Sequence, residues 1–289
     1  MKENPVPHSE MKIYVLNLDR RPDRMAKVAS QMESLGLHFE RISAIDGKEE
    51  DAQVALVAKR KFLLNQKRLP SRGEQACAAS HVKIWKNFLC SGASHALILE
   101  DDVLLAPSVP AFIEDFLREP ELDFLNLSAN APYSPDEEVL RAMWQRHANR
   151  PSPWMSKERA AWRQLEWRRS WRIFRLRYMA SVGFVCECDP APALASGYVV
   201  SRKAAESFIA AADDLFYPID YVWRYARGEL RQGFLARPIV TQEGGDSDIE
   251  GRSDQPKLPL RYRLLRPLVK SRRFGRRMDV RSLYGWSSL

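Results

Sequence analysis

Cysteine is scarce in this chain, with four residues in 289: Cys77, Cys90, Cys186 and Cys188. Their spacing matches no common zinc-binding pattern, and so few thiols suit a reducing compartment. Long apolar runs are missing as well; none approaches the ~18 residues that a membrane span requires. Met1 to Glu10 is polar, carries Pro5 and Pro7 and has no apolar centre. It reads as a flexible extension over residues 1–10 and not as a secretory signal. No Gly-x-x-x-x-Gly-Lys-Ser/Thr loop occurs, so nothing of that kind favours a phosphoryl-transfer enzyme. Histidine is limited to His8, His38, His81, His95 and His147, with none afterwards. Acids are outnumbered: 37 Asp and Glu against 45 Lys and Arg leave a net charge of +8. The basic excess lies mostly after residue 140 and asks for an anionic partner: nucleic acid, a phosphorylated ligand or an acidic membrane.

What is present is ordinary for a globular chain: 45% hydrophobic and 28% charged residues, with length enough for one large or two small domains. One stretch organises the rest. Ala96-Leu97-Ile98-Leu99 is a short apolar run that leads straight into Glu100-Asp101-Asp102, and Val103-Leu104-Leu105 resumes the apolar pattern. Burying three adjacent anions is prohibitive without a cation or firm hydrogen bonds. The strand therefore ends at Glu100, with the acids at its carboxyl edge, where open α/β sheets bind ligands. Carboxylate oxygens there suit Mg²⁺ or Mn²⁺ shared with phosphates; a solvated acidic turn is the plain alternative.

Upstream, Lys12 to Leu18 reads as a strand. The basic loop Asp19-Arg20-Arg21-Pro22-Asp23-Arg24 follows, and Pro22 suits a first helical turn. Met25, Val28, Met32 and Leu35 recur at helical spacing until Gly36. A strand, a basic loop and a helix N-terminus in succession can hold an anion, although three arginines in a solvated turn look the same. Phe39 to Ala44 is a second strand, closed by the turn Ile45-Asp46-Gly47, and the β-α-β order predicts a parallel sheet. Gly73 to Leu89 predicts a helix packed closely on that sheet, with Ser80, His81 and Lys83 near one another just before the acidic strand. Pro107 to Leu117 is a further helix and Asp123 to Leu127 a further strand.

Beyond residue 130 the composition changes. Residues 131–192 hold Trp144, Trp154, Trp162, Trp167 and Trp171 among Arg168, Arg169, Arg172, Arg175 and Arg177. A helical insertion is expected, with a helix over Arg159 to Tyr178, packed on the core or meeting anionic lipid. Ser181 to Cys186 and Ala193 to Val200 suit strands, and Gly197 permits close backbone approach of a ligand or neighbour. Ser201 is an N-cap for the helix that follows. Asp220 stands among apolar residues, where a helix N-cap is the plain expectation. Lys257 to Arg281 is basic with leucines interspersed. It is either a solvated tail or a segment that lies on an anionic membrane, at about 1 kcal/mol per basic residue.

Three blocks, in order, carry a resemblance. Ile13-Tyr14-Val15-Leu16-Asn17-Leu18-Asp19-Arg20-Arg21-Pro22-Asp23-Arg24, Gly73-Glu74-Gln75-Ala76-Cys77-Ala78-Ala79-Ser80-His81 and Leu97-Ile98-Leu99-Glu100-Asp101-Asp102 together resemble glycosyltransferase family 25. This family includes bacterial lipooligosaccharide and collagen galactosyltransferases. The likeness covers residues 11 to about 130 well and the remainder loosely. It implies an α/β, GT-A type nucleotide-diphospho-sugar transferase fold, with a central, mostly parallel sheet flanked by helices. The catalytic domain would span residues 11–250 and the basic tail 251–289. The resemblance further implies a divalent cation on Glu100 and Asp102. It places the donor nucleotide sugar near Asn17, Leu18, Arg20, Arg24, Asp46, Ser80, His81, Glu100 and Asp101, and the acceptor near Gly197 and Tyr198. Asp220 becomes the base, with Asp189, Asp213 and Asp214 as weaker candidates. Relatives often supply a late histidine to the metal; here Asp246, Asp248 or water would serve. The expected activity is inverting transfer of galactose from its UDP derivative to a hydroxyl of a lipid-linked or other surface glycan. The expected location is the inner face of the cytoplasmic membrane. The rival readings are a basic nucleic-acid-binding protein and a non-catalytic glycan-binding relative.

Overall fold

Strand and helix alternate from the start. β1 (Met11–Asn17) is followed by α1 (Pro22–Ser34), β2 (Glu40–Ser43), α2 (Lys59–Gln66), α3 (Arg72–Cys90) and β3 (His95–Glu100). β4 (Val103–Leu105), α4 (Val109–Arg118) and β5 (Phe124–Asn126) come next. Then follow β6 (Arg172–Met179), β7 (Gly183–Asp189), β8 (Gly197–Ser201), α5 (Arg202–Ala212) and a 3-10 helix (Ile219–Arg224). β9 (Gln232–Leu235), β10 (Val240–Gln242) and α6 (Arg273–Tyr284) complete the order. This computed structural model describes residues 10–55, 57–129, 172–243 and 273–285, with the single positions 141, 145, 265, 267 and 271.

Eight strands form one sheet in the order β2-β1-β3-β8-β5-β9-β7-β6, and β4 pairs with β10 separately. The sheet is mixed. Its pairings are three parallel and four antiparallel, because β8 runs against both of its neighbours and the β6–β7 hairpin closes one side. β3 shows why its sequence is apolar almost throughout. Ala96 and Ile98 pack into one core with Tyr14, Trp85, Tyr198, Phe208 and Trp223, while Leu97 and Leu99 pack into another with Val15, Val28, Met32 and Phe112. A strand covered on both faces has no solvent side to make polar. α3 contributes to the first core and α1 to the second. With strand order 2-1-3 on this side, β2 lies on one side of β1 and the parallel β3 on the other, so the order of winding reverses between β1 and β3, the switch point where α/β sheets hold ligands. Leu16 lies opposite Glu100, so the loops after β1 and β3 emerge side by side.

Two expectations need correction. The helix expected through Tyr178 does not include residues 172–178, which form β6. Phe174 and Leu176 are buried while Arg175 and Arg177 lie partly exposed, a period of two that a hairpin partner with apolar Phe184 and Cys186 satisfies. Trp144, Trp154, Trp162, Trp167 and Trp171, with Arg168 and Arg169, lie outside the described residues. The basic tail is also not a bare chain throughout. Residues 273–284 form α6, where Arg276 is buried against Asp189, the Gly228 carbonyl and the Leu230 carbonyl. Tyr284 stacks on Phe174 and donates to Glu187. Among the described residues no helix is long and apolar enough to cross a membrane.

Candidate active site

A cleft of about 470 Å³ opens at the carboxyl ends of β1, β2 and β3. Leu18, Arg20 and Arg24 enter it from the β1–α1 junction, Asp46 from the loop after β2, and Glu100, Asp101 and Asp102 from the end of β3. Glu74, Cys77 and Ser80 line it from α3, Asp220 from the 3-10 helix, and Gln242 from β10. The start of α3 is fixed by a capping box: Ser71 Oγ accepts from the Glu74 amide at 3.2 Å, and Glu74 accepts from the Ser71 amide at 3.0 Å. The Glu74 carboxylate also takes both terminal nitrogens of Arg68 at 2.5 Å each. Small residues let this helix lie close. A Cβ at Gly47 would stand 2.9 Å from the Arg72 carbonyl oxygen, so the loop after β2 rests directly on the first turn of α3.

The three acids differ in surroundings. Asp101 is held in place: it accepts from Asn17 Nδ2 at 2.7 Å and pairs with Arg24 at 3.4 Å. Asn17 in turn accepts from Arg41 Nε at 2.9 Å. Asn17, expected at the donor, is buried and does not line the cleft; it anchors the acidic turn. Asp102 is left short of partners. Its Oδ1 is buried and has no hydrogen bond among the described residues. Arg24 stays 4.0 Å away. Burial, with the Glu100 charge second, pushes the Asp102 carboxyl from 3.8 up to about 6. Two carboxylates facing one cleft, one with an unpaired buried oxygen, are a donor set that fits a hard divalent cation. Arg20 pairs with Asp46 at 2.5 Å, which keeps a guanidinium at the rim, and Arg21 pairs with its neighbour Asp23.

His81 does not reach the cleft. It is buried behind Glu100. Its Nδ1 hydrogen-bonds the Tyr198 hydroxyl at 2.9 Å, and that oxygen accepts from Trp85 Nε1 at 3.0 Å. Ser80 spends its hydroxyl on the Ala76 carbonyl at 2.8 Å and accepts from the Ile45 amide at 2.8 Å.

Gly197 and Tyr198, expected near the acceptor, are set apart from the cleft. Both are buried in β8, and neither lines the cleft. A Cβ at Gly197 would come within 2.6 Å of Val240 Cγ1, so the close approach there is of a neighbouring strand. Asp220 is a first-turn residue of its 3-10 helix, and Pro218 holds the cap position. Its charge helps to keep Arg68 and Arg224 protonated, although burial brings Arg224 down to about 10. The weaker base candidates lie elsewhere: Asp189 is buried against Arg276, Asp214 pairs with Lys61 at 2.6 Å, and Asp213 ends α5. Asp246 and Asp248 fall outside the described residues. Sequence reading missed Glu74, Cys77 and Gln242. The Ser71-x-x-Glu74 pattern pointed to the first, and the four-residue spacing of Cys77 and His81 to the second.

Fold and cleft define an α/β protein whose switch-point crevice holds a cluster of carboxylates with guanidinium groups set against them. The chain belongs to glycosyltransferase family 25 (LPS biosynthesis protein), whose model matches residues 10–223. It is 35% identical over 100 residues to a glycosyltransferase 25 family member of Drosophila pseudoobscura pseudoobscura, covering 33% of this chain and 16% of that protein. It is 31% identical over 114 residues to the lacto-N-neotetraose biosynthesis glycosyltransferase LgtE of Neisseria meningitidis serogroup B, covering 39% of this chain and 40% of that enzyme. It is 24% identical over 137 residues to the inactive glycosyltransferase 25 family member 3 of Mus musculus, covering 44% and 23%. The matches thus span well under half the length of these relatives.

Proposed function

We propose that the chain is an active, inverting, cation-dependent glycosyltransferase. It moves a hexose, galactose from its UDP derivative in the first instance, to a hydroxyl of a lipopolysaccharide or related surface glycan. One observation carries the reading: Glu100 and Asp102, with a buried unpaired Asp102 oxygen, share a cleft with Arg20, Arg24 and Asp220. Glu100 and Asp102 would hold Mn²⁺ or Mg²⁺. Such an ion, when bound, offsets the charge that develops on the departing diphosphate. Arg24, already turned to the acidic wall, and Arg20 at the rim add fixed positive charge on the same side. Asp220 takes the proton of the acceptor hydroxyl as its oxygen bonds to the anomeric carbon and the bond to the nucleoside diphosphate breaks. Inversion follows from attack opposite the leaving group. The LgtE likeness supports a bacterial surface glycan as acceptor. A peripheral position on an anionic membrane, through those basic residues of 257–281 that α6 does not bury against the protein, would bring a lipid-linked acceptor to the cleft.

A panel of nucleotide sugars, assayed for cation-dependent binding and hydrolysis, tests the reading. Donor binding that requires the ion and disappears in Asp102→Ala supports it. Binding of no nucleotide sugar by a folded chain sinks it and favours a non-catalytic role, as the name of the mouse relative suggests for that protein.

A further inference from the structure

One group of donor atoms near the cleft is unlike the paired carboxylates. Cys77 Sγ, His81 Nε2 and a Glu100 oxygen all lie within 4.8 Å of one another. Cys77 and His81 are four residues apart on α3 and so share a helical face; the end of β3 brings Glu100 opposite them. His81 is fully buried, and its Nε2 has no hydrogen-bond partner among the described residues. This nitrogen is 3.6 Å from Glu100 Oε1, too far for a hydrogen bond. A nitrogen and an oxygen at about 2.0–2.2 Å from a tetrahedral zinc ion stand about 3.3–3.5 Å apart, close to this gap. The other ring nitrogen is held by Tyr198, itself bonded to Trp85. Metal-binding imidazoles are oriented by outer partners of this kind.

We propose that Cys77, His81 and Glu100 form a second cation site, for a thiophilic ion such as Zn²⁺ or Cd²⁺. A thiolate and an imidazole make a softer donor set than two carboxylates. On binding, the Cys77 thiol releases its proton to water. His81 offers its Nε2 lone pair, and its Nδ1–H donates to the Tyr198 oxygen. Because Glu100 belongs to both donor sets, a soft ion here withdraws it from the hard cation, and the two ions exclude one another. The site itself stands on its own geometry; the mutual exclusion rests on the hard-cation reading above.

Titration of the intact chain with Cd²⁺, followed by sulfur-to-metal absorption in the ultraviolet, tests the proposal. A band is expected in the wild type and in Cys90→Ser, whose thiol is exposed. Affinity for Cd²⁺ should fall at least about tenfold in Cys77→Ser and in Glu100→Gln, the loss that removing even an outer partner brings. Mn²⁺, followed by loss of its free-ion paramagnetic resonance signal, should compete with Cd²⁺ in the wild type and still bind Cys77→Ser. A Cd²⁺ band unchanged in Cys77→Ser overturns the site. Full, simultaneous binding of both ions overturns the sharing of Glu100 and leaves the transferase reading intact. A Cys77-dependent band in a chain that binds no Mn²⁺ supports the soft site and removes the hard-cation reading instead.

Discussion

Replacing Asp102 by Asn should make the metal-free protein more stable, although it removes a proposed cation ligand. The reason lies in the surroundings of that carboxyl, pushed from 3.8 to about 6 by burial and by Glu100. Between those two values the native state keeps a proton that the unfolded chain has released. Wild-type stability therefore falls as pH rises from about 4 to about 6 and is flat above. The gap corresponds to about 3 kcal/mol at neutral pH. This is a ceiling, because the Asp102 side chain keeps 26% of its exposure and solvent screens part of the charge. Asn carries no charge, so Asp102→Asn should escape the loss. At ~2–4 °C per kcal/mol for a chain of this size, its melting temperature in chelator should exceed the wild type's by roughly 5–10 °C at pH 7.5. The advantage should shrink to near zero at pH 4. Thermal unfolding at a series of pH values, in chelator and again in Mn²⁺, measures both effects. Mn²⁺ should raise the wild-type midpoint and leave the variant's unchanged. An Asp102→Asn protein that melts no higher than wild type at pH 7.5, or whose advantage is the same at pH 4, refutes the reasoning.

Other substitutions separate the roles assigned above. Asp220→Asn should bind donor as the wild type does and lose transfer by a factor on the order of 100 or more; normal turnover would show that the base is elsewhere. Tyr198→Phe should leave the buried Trp85 N–H unpaired and destabilise by about 1–3 kcal/mol in urea, with the acceptor KM unchanged, since Tyr198 lies in the core. Arg276→Ala strands Asp189 in a buried position and should lower stability by about 3–5 kcal/mol, read from the urea midpoint, without altering donor affinity in the protein that remains folded.

The first half of the chain announced its structure because local and tertiary signals agree there. The apolar run before Glu100 and Pro22 at a helix start do the same thing in isolation and in the fold, and in the second half the Ser201 cap does so too. The three acids were legible as a group, but not their division of labour. Asn17 reaches across from β1 to bind Asp101, a contact 84 residues away in sequence that no local pattern encodes. The burial of Tyr198 was hidden for a related reason: it follows from the position of β8 between β3 and β5, which no local pattern states. The strand at 172–177 read as helix because Ile173-Phe174 interrupts the alternation, at the register shift between Ile173 and Arg175, and leaves too short a run of period two to stand out.

The position of β9 has a practical consequence. It is an interior strand between β5 and β7, built from residues Gln232–Leu235, beyond position 223 where the family match stops. A protein shortened to the matched span would lose the rung that joins the β6–β7 hairpin to the remaining strands. Two unpaired edges would then face water at the middle of the molecule. Expression trials that trim to the family boundary should therefore yield aggregate, and the segment that the family match leaves out is part of what any working fragment must retain.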